Sequence, residues 1–480
     1  MKVEVLQKKH KFFSLGFAAR LSMGYEIIFT RPTKGSVVAL LKLARYELEK
    51  LQNTAVFIGC VILIFTLYTA FRPLPVLDSI SVIRALNTEE ISETQYYVDD
   101  MQLPIACSFD KSRSDMCEMV GDIRIHGNSS SVLMASNNKK GRSSITLNSY
   151  ARKLDNSAIV TVTTWKIINY QASGKMRKCS RRYTIPAIVF STKGFNGNLF
   201  HEFGKVLIPL YLASRPYNGT VYFLMSDKQP WWITKYKMFL KGLSKYNVMD
   251  IDSQDEVLCF PKLTIGLKGN KDLTIDPRSP PHYSMINFAQ FLKSTYALQR
   301  ESVNDFGNLR RPRMLIISRP ETRIMNNEDD LVELAGIMGF DVVLREESGY
   351  DVQSIAKFVN SFDVMVGVYG SELTNMVYLP RDAVVIQIVP FGLEMLAHYY
   401  QTAANDLKLR YLEYKVSLNE SSLLGGYPVG SQIYTNPRAV LHSKGYADFK
   451  KVYMDAQDMD IDVTRFREIL FIAGELLLPC

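Results

Sequence analysis

The chain has 480 residues, of which 47% are hydrophobic and 22% charged, and its formal net charge at pH 7 is +9. This length allows two or three domains with a sizeable core, and the composition is that of a globular protein rather than a disordered chain. Ten Lys or Arg residues against four acidic residues in the first fifty positions account for six of the nine net charges. The remainder is close to balanced, so the charge does not indicate a nucleic-acid partner.

An uncharged apolar run at 54–71 follows this basic tail and is flanked by Lys50 and Arg72. A helix over the run would be roughly 27 Å long at about 1.5 Å per residue, which is enough to cross the core of a bilayer. The excess of Lys and Arg before it predicts a cytosolic tail at 1–53 and places the rest of the chain on the other side. An uncleaved anchor is favoured over a signal peptide. The alternative is a buried core helix.

Residues 72–104 are polar and acidic and predict a stem, or else an extension of the next domain. Five cysteines follow the anchor, and in a secretory lumen some of them would pair as disulfides. Because five is odd, at least one cysteine is free or pairs between chains, and Cys480 is the candidate. Three Asn-x-Ser/Thr sequons, at Asn128, Asn218 and Asn419, also lie after the anchor, which agrees with the charge rule.

The globular part divides into two α/β halves. The first, 105–303, predicts strands at 157–165, 185–192, 220–226 and 257–267, with helices at 198–214, 235–246 and 288–298. The second, 304–454, predicts strands at 314–318, 340–344, 363–368, 383–390 and 409–416, with helices at 327–338, 352–362 and 392–405. Residues 455–480 end in an amphipathic helix. Each half is Rossmann-like, so the two would face each other across a cleft, with a nucleotide donor bound by the second half and an acceptor by the first.

Phosphate-binding chemistry is predicted at the carboxyl edge of the second half. The apolar strand at 364–368 stops at a turn, and backbone N–H groups at such a turn converge on phosphate. Two arginines follow the strand 314–318 at the same edge, and a guanidinium matches phosphate oxygens. The candidate donor-binding residues are Arg319, Arg323, Tyr369, Gly370, Ser371, Thr374, Asn375 and Pro390. The alternatives are an ordinary βα turn and solvated arginines.

The first half offers two groups of candidates. Asp122, Arg124 and His126 alternate and would share one strand face, which suits an acceptor or is simply an exposed face. His201 and Glu202 open the helix after the strand 185–192, where either could serve as a general base.

Four segments together resemble plant members of glycosyltransferase family 61. They are 117–127 (CEMVGDIRIHG), 197–210 (GNLFHEFGKVLIPL), 373–390 (LTNMVYLPRDAVVIQIVP) and 409–414 (LRYLEY). The resemblance covers roughly Cys107 to Leu478. It implies a single-pass type II Golgi enzyme of GT-B architecture that uses a UDP-sugar, inverts anomeric configuration and needs no metal. The Asp-x-Asp spacings at Asp250/Asp252 and at Asp458, Asp460 and Asp462 are therefore not predicted to be metal sites.

The sequence departs from the family pattern at three places. Tyr369 to Glu372 (YGSE) stand where relatives usually carry His-Gly-Ala-Gly, Lys205 stands at a usually acidic position, and Leu258 replaces a frequent His. These changes bear on activity and donor choice.

The leading hypothesis is transfer of a pentose, arabinofuranose or xylose, from a UDP-sugar to xylan. Its rivals are a catalytically silent glycan- or nucleotide-binding partner of active transferases, and a transferase that acts on N-glycans.

Overall fold

The computed structural model describes residues 105–109, 114–136, 144–150, 152, 156–171, 177–194, 196–269, 271–303, 310–346 and 351–478. The predicted cytosolic tail, membrane anchor and stem lie outside these residues, as does Cys480. No helix within the described ranges is long and apolar enough to span a membrane. All of the described residues belong to one compact unit.

The first half is built on a ten-stranded mixed sheet. Its strands are β1 (Ile105–Phe109), β2 (Asp115–His126), β3 (Ser131–Ser136), β4 (Ser144–Asn148), β5 (Thr164–Gln171), β6 (Arg181–Arg182), β7 (Ala187–Ser191), β8 (Tyr222–Ser226), β9 (Met249–Asp250) and β10 (Val257–Ile265). The main order is β4-β5-β3-β2-β10-β7-β8-β9. Strands β10, β7, β8 and β9 are parallel, as a Rossmann-like half requires. Strand β2 runs antiparallel to β10 and β3, an extension that the sequence did not predict.

The predicted strand at 157–165 is wrong, because a short helix, Asn156–Ile159, precedes strand β5 there. The side chains and backbone of this segment bond locally or to a neighbouring loop instead of to a strand. The Thr161 hydroxyl donates to the Ala158 carbonyl oxygen at 2.7 Å. The backbone N–H and hydroxyl of Thr163 both donate to the Asp227 carboxylate, at 2.9 and 2.8 Å. The backbone N–H groups of this segment are therefore not available to pair with a neighbouring strand before Thr164.

The second half contains a five-stranded sheet of order β12-β11-β13-β14-β15, and every pairing in it is parallel. The strands are β11 (Arg313–Ser318), β12 (Asp341–Glu346), β13 (Val364–Val368), β14 (Val384–Val389) and β15 (Arg410–Lys415). Strands β13 and β14 are buried throughout, as expected of parallel strands that helices cover on both faces. The five predicted parallel strands are confirmed.

Helices cover both sheets. In the first half they are Leu199–His201 with its continuations Glu202–Leu207 (a π-helix) and Ile208–Ser214, then Pro230–Lys235, Lys237–Leu243 and Met285–Tyr296. In the second half they are Glu328–Ile337, Val352–Asn360, the 3₁₀ segment Ser371–Tyr378, His398–Asp406, Gln432–Thr435, Pro437–Lys450 and Val463–Leu477. The predicted helix at 392–405 starts later, at His398, because a 3₁₀ turn, Glu394–Leu396, precedes it.

The two halves share one apolar core at their junction. Phe203, on the helix that follows β7, lies edge-on to Tyr378 with ring centroids 6.1 Å apart. Tyr296 contacts the same ring at 5.8 Å. Residues of β7 and of β11 and β13 belong to this one cluster, so the helix that begins at Leu199 is fixed against the 3₁₀ segment after β13.

Two disulfides join elements of the first sheet. Cys107 pairs with Cys117 across β1 and β2, and Cys179 pairs with Cys259 on β10. The expectation that some of the cysteines pair is met by these four residues.

Candidate functional site

The strand order places a topological switch point between β11 and β13. Strand β12 lies on one side of β11, and β13 and β14 lie on the other. The chain therefore leaves β11 and β13 in opposite directions, which opens a crevice at the carboxyl ends of these two strands. Ligands of open α/β sheets bind in such a crevice. Arg319 immediately follows β11, and Tyr369 to Ser371 immediately follow β13. The structure therefore brings the predicted arginines and the predicted turn to the same point.

Arg319 is held at this edge by two neighbours. Its guanidinium forms an ion pair with the Glu372 carboxylate, and its Nε donates to the Thr322 carbonyl oxygen at 2.9 Å. The Arg319 side chain is 11% exposed and that of Glu372 is 24% exposed. A Cβ on Gly370 would lie 2.3 Å from the Arg319 Nη1, so glycine is the residue that allows this close approach.

Arg323 lies beside Arg319 in a left-handed backbone conformation, φ 56°. Its Nη1 donates to the Tyr369 carbonyl oxygen at 2.8 Å, which ties the loop after β11 to the turn after β13. Burial lowers the pKa of Arg323, the neighbouring charge of Arg319 lowers it further, and Glu372 opposes both. The two guanidiniums thus form one cationic patch, which Glu372 partly neutralises, and Asp455 also opposes the fall in the pKa of Arg323.

The remaining donor candidates lie beneath this patch. Thr374 and Asn375 are buried in the 3₁₀ segment, and Pro390 is buried at the end of β14. Asn375 lines a small cavity with Ile317 and Phe358, on the side of the sheet where the helix Val352–Asn360 packs. Their burial suits support of the turn more than direct contact with a ligand, and a donor-binding role for them stays a prediction.

The helix that carries His201 and Glu202 starts at an Asn198 cap, whose side chain accepts from the His201 backbone N–H at 3.3 Å. Glu202 is buried and fully engaged. Its Oε1 accepts from the Gly197 N–H at 3.1 Å, and its Oε2 accepts from Lys235 Nζ at 2.7 Å and from the Tyr236 hydroxyl. A carboxylate with both oxygens bound in this way is a structural anchor rather than an available base.

His201 is only partly buried and lines a cavity with Tyr150, Thr192 and Trp232. Burial lowers its pKa to about 4, and the nearby charges of Lys205 and Arg152 act in the same direction, whereas Asp272 opposes them. The imidazole is therefore neutral near pH 6 to 7, which is the protonation state that a general base requires. Both predicted bases line this cavity, and Glu202 is the one whose carboxylate is held by three donors.

His201 lies close to the switch point. The neighbouring Phe200 packs edge-on against Tyr399 and Tyr400, with ring centroids 5.9 and 5.8 Å apart. The Tyr400 hydroxyl in turn donates to the Gly370 carbonyl oxygen at 2.6 Å. Burial raises the pKa of Tyr369, and the charge of Asp272 adds to this rise, so the first half contributes a charge within electrostatic range of the turn. The helix that carries His201 is thus linked to the turn after β13 through Phe200 and Tyr400.

Lys205 and Asp272 are residues of this site that the sequence reasoning did not bring together. Lys205 Nζ donates to Asp272 Oδ1 at 2.5 Å, and both side chains are almost fully buried. Asp272 lies in a polar stretch that predicted only a loop. The available signal was Lys205 itself, a charged residue between Phe203 and Val206 on an apolar helix face, because a buried ammonium needs a partner.

The predicted acceptor triplet lies elsewhere. Asp122, Arg124 and His126 do share one face of β2, and Arg124 pairs with Asp122 at 2.6 Å. Because β2 runs antiparallel to β10, His126 pairs with Val257 at the amino end of β10. The triplet is thus at the opposite edge of the first sheet from the carboxyl end of β7, which His201 follows, and the structure does not bring the two groups together.

Three of the acidic residues weighed as metal ligands accept hydrogen bonds from backbone N–H groups. Asp252 accepts from the Asp227 N–H at 2.5 Å, Asp458 accepts from the Ile324 N–H at 2.9 Å, and Asp462 caps the helix Val463–Leu477. In the described ranges the only His/Cys/Asp/Glu group with ligand spacing is Asp122, Cys179 and Cys259, and those cysteines form a disulfide. The asparagines of all three sequons are exposed.

Comparison with known proteins identifies the family. The family model described as Glycosyltransferase 61 matches residues 240–386, which contain the arginines and the turn after β13. The chain is 39% identical to alpha-1,3-arabinosyltransferase XAT2 of Oryza sativa subsp. japonica, over 76% of this chain and 63% of that protein. It is 37% identical to the rice beta-1,2-xylosyltransferase XYXT1, over 78% of this chain and 84% of that protein.

The xylan glycosyltransferase MUCI21 of Arabidopsis thaliana is 33% identical, over 77% of this chain and 79% of that protein. The chain spans just under two thirds of the length of XAT2 and of a second rice alpha-1,3-arabinosyltransferase, XAT3. Among solved structures, the heptosyltransferase TibC matches with 10% identity and a TM-score of 0.25, over 69% of this chain and 85% of that chain, which is too low to support a detailed comparison. The identities to XYXT1 and MUCI21 over most of both chains show that this protein belongs to glycosyltransferase family 61.

Proposed function

We propose that the protein is a pentosyltransferase that moves arabinofuranose or xylose from a UDP-sugar to xylan. The observation that carries the proposal is the pair Arg319 and Arg323 at the switch point, with His201 adjacent on the other half. The names of XAT2, XYXT1 and MUCI21 describe arabinosyl, xylosyl and xylan transferases, and this supports the choice of sugar and acceptor.

The donor would bind in the crevice between the ends of β11 and β13. Arg319 and Arg323 supply fixed positive charge for the diphosphate, and their planar forks match its oxygens. Charge placed in advance where it develops during bond cleavage stabilises the transition state, so the leaving UDP needs no ion in this arrangement. The two α/β halves, with the donor on the second and the acceptor on the first, correspond to a GT-B-like arrangement.

On the acceptor side, His201 is the proposed general base. Its neutral ring nitrogen takes the proton of the acceptor hydroxyl while the oxygen's electron pair forms the bond to the anomeric carbon. The bond from that carbon to the diphosphate breaks in the same step, and its electron pair leaves with UDP. Attack from the face opposite the leaving group inverts the anomeric configuration. Glu202 stays bound to Lys235 and Tyr236 throughout.

The experiment is a transfer assay with the full-length chain purified in detergent. UDP-arabinofuranose or UDP-xylose is supplied with xylo-oligosaccharides, and products are read by mass spectrometry. We expect an added pentose in the wild type, and at least about 100-fold less in His201→Asn because general-base catalysis is lost. His282→Asn is the matched control, since His282 is an exposed histidine in a loop of the first half.

Three other results would redirect the proposal. UDP binding without transfer of either pentose would favour the silent partner of active transferases. Product on N-glycan peptides but none on xylo-oligosaccharides would select the N-glycan reading. Undiminished transfer by His201→Asn would remove His201 from the reaction while leaving the substrate assignment intact.

The proposed setting is the Golgi membrane, with a single anchor at 54–71 and the globular part in the lumen. Two disulfides and three exposed sequon asparagines support a luminal location, because both features belong to oxidising secretory compartments. Sensitivity of the expressed protein to N-glycosidase, and its loss in the triple Asn128→Gln, Asn218→Gln, Asn419→Gln variant, would test this. A protein that carries no N-glycan when expressed in plant cells would count against luminal exposure of these asparagines.

A further inference from the structure

A buried ion pair adjoins the cavity lined by His201. Asp272 and Lys205 are each 2% exposed, so two opposite charges leave water together. The second oxygen of Asp272 lies 3.7 Å from the guanidinium of Arg152, whose side chain is 30% exposed. Replacing a buried pair of this kind with apolar residues is often neutral for folding, so stability alone does not explain why the chain keeps it.

Two elements contribute the pair that lies beside the helix carrying His201. Lys205 follows His201 by one helical turn and therefore lies on the same face of the helix, and both residues line the cavity with Thr192 and Trp232. Asp272 comes from the segment after β10. A Cβ on Gly204 would stand 3.8 Å from the Asp272 Oδ1, so the carboxylate lies directly against the helix that carries His201.

The charges that face His201 leave Asp272 as its balancing anion. Lys205 acts from its own helix and Arg152 from a separate segment, and both are cations. Lys193 also lines the cavity, but it pairs with Asp227 at 3.3 Å. Glu202 is bound to Lys235. When His201 takes a proton, the new cation therefore stands beside two others, and Asp272 is the carboxylate placed to offset them.

We propose that Asp272 is a positioning residue for the transfer reaction, because its carboxylate, fixed by Lys205 and Arg152, stabilises the imidazolium that forms when His201 accepts the acceptor's proton. This inference rests on the proposed function, since it needs that proton transfer. The proton ends on the imidazole, the acceptor oxygen is bonded to the sugar, and UDP carries away the electron pair of the broken bond. In this proposal Asp272 takes up no proton and acts only through His201.

The pKa of His201 agrees with this placement. Burial is the main cause of its fall to about 4, Lys205 and Arg152 contribute to the fall, and Asp272 raises it. Removing Asp272 should therefore lower the pKa of His201 further, and removing Lys205 should raise it.

The decisive comparison is between Lys205→Met and the double variant Lys205→Met/Asp272→Asn. In the first, Asp272 is buried without its ammonium partner, whereas in the second neither charge remains, so the second should be the more stable protein. If Asp272 assists His201, the order of kcat should be the reverse of the order of stability. We expect kcat of the double variant to be about tenfold below that of Lys205→Met, with the KM for UDP-sugar unchanged, because the lost interaction exists only in the transition state.

A second readout does not depend on any reaction. The His201 imidazole is titrated by NMR in histidine-labelled protein, with its signal identified by its absence in His201→Asn. We expect a pKa about one unit lower in the double variant than in Lys205→Met. Matched controls are Lys293→Met and Lys293→Met/Glu301→Gln, which remove an exposed pair of 3.2 Å and should change neither kcat nor the His201 signal.

The outcomes are distinguishable. A kcat order that follows stability, with the double variant the faster enzyme, overturns the role of Asp272, and so does an unchanged His201 pKa. If the wild type transfers no sugar, the proposed function fails, while the titration still decides whether Asp272 acts on His201.

Discussion

Replacing Arg319 with alanine tests the donor site most directly. The guanidinium lies at the switch point and forms an ion pair with Glu372. A charge-assisted hydrogen bond to a phosphate oxygen contributes about 1.5–3 kcal/mol. Its loss alone weakens UDP binding by about 10- to 150-fold. The variant also leaves the Glu372 carboxylate uncompensated beside the diphosphate, which adds repulsion of about 1 kcal/mol.

The complementary change, Glu372→Gln, should strengthen UDP binding. Glu372 competes with the diphosphate for the Arg319 guanidinium, and the amide removes that competitor while keeping its size. We expect about 1 kcal/mol, or five- to tenfold, tighter binding. The double variant Arg319→Ala/Glu372→Gln should bind better than Arg319→Ala alone, and the difference between the two measures the repulsion.

Isothermal titration of UDP into the full-length chain gives these affinities. Arg278→Ala is the control, because Arg278 also pairs with a nearby carboxylate, Asp276, but is 89% exposed. Because Arg319 is 11% exposed, Arg319→Ala should lower the thermal midpoint more than Arg278→Ala does, and circular dichroism checks that each variant is folded. Wild-type UDP affinity in a folded Arg319→Ala protein would remove Arg319 from the donor site. Unchanged affinity in Glu372→Gln would show that Glu372 and the diphosphate do not share the guanidinium.

Three further predictions follow from buried and cross-linked groups. Lys205→Asp sets a second carboxylate against buried Asp272 and should cost about 3–5 kcal/mol of stability, measured as a lower thermal midpoint without a gain in transfer. Adding Asp272→Lys should restore the midpoint. A single variant that is stable and more active would contradict the pairing. Cys179→Ser opens a link across 80 residues to Cys259 and should cost about 4–5 kcal/mol in urea unfolding, so a loss under about 1 kcal/mol would show that the link hardly restricts the unfolded chain. Stability should fall as the pH drops from 6.5 towards 4, because unfolded His201 binds a proton before the folded form does; His201→Asn should flatten this part of the profile, and an identical profile in that variant would refute the assignment.

The second sheet was predictable because its strands carry their own signal. Strand β13 is a continuous apolar run, and β14 is apolar except for the buried Gln387, because both strands are covered on both faces. The first sheet was harder to predict. Its antiparallel strands are half exposed, as in β2, where buried Ile123 and Ile125 alternate with polar neighbours, and short segments of this kind are easily missed. At 157–165 the β-branched residues suggested a strand, but hydrogen bonds from Thr163 to Asp227 decided otherwise.

The site was predictable as far as position along the chain determines it. Residues that follow parallel strands must meet at one edge, and this placed Arg319 beside Tyr369 before any coordinates. Which charges pair across the site was not predictable, since Lys205 and Asp272 are 67 residues apart and Arg319 and Glu372 are 53 apart. The hydrophobic periodicity of a sequence does not reveal a contact between a helix and a distant loop.

These two pairings change how the departures from the family pattern are understood. Taken alone, Lys205 places a cation where relatives usually have an acid, and Glu372 places an anion beside the diphosphate site. In the structure each stands against an opposite charge, Asp272 in one case and Arg319 in the other. Lys205 thus has an anionic partner on the segment after β10, and the Glu372 carboxylate occupies a guanidinium that a diphosphate would bind. Both departures therefore leave the local charge balanced, and neither implies that the site has lost its function. Paired substitutions, of Lys205 with Asp272 and of Glu372 with Arg319, test each ion pair separately.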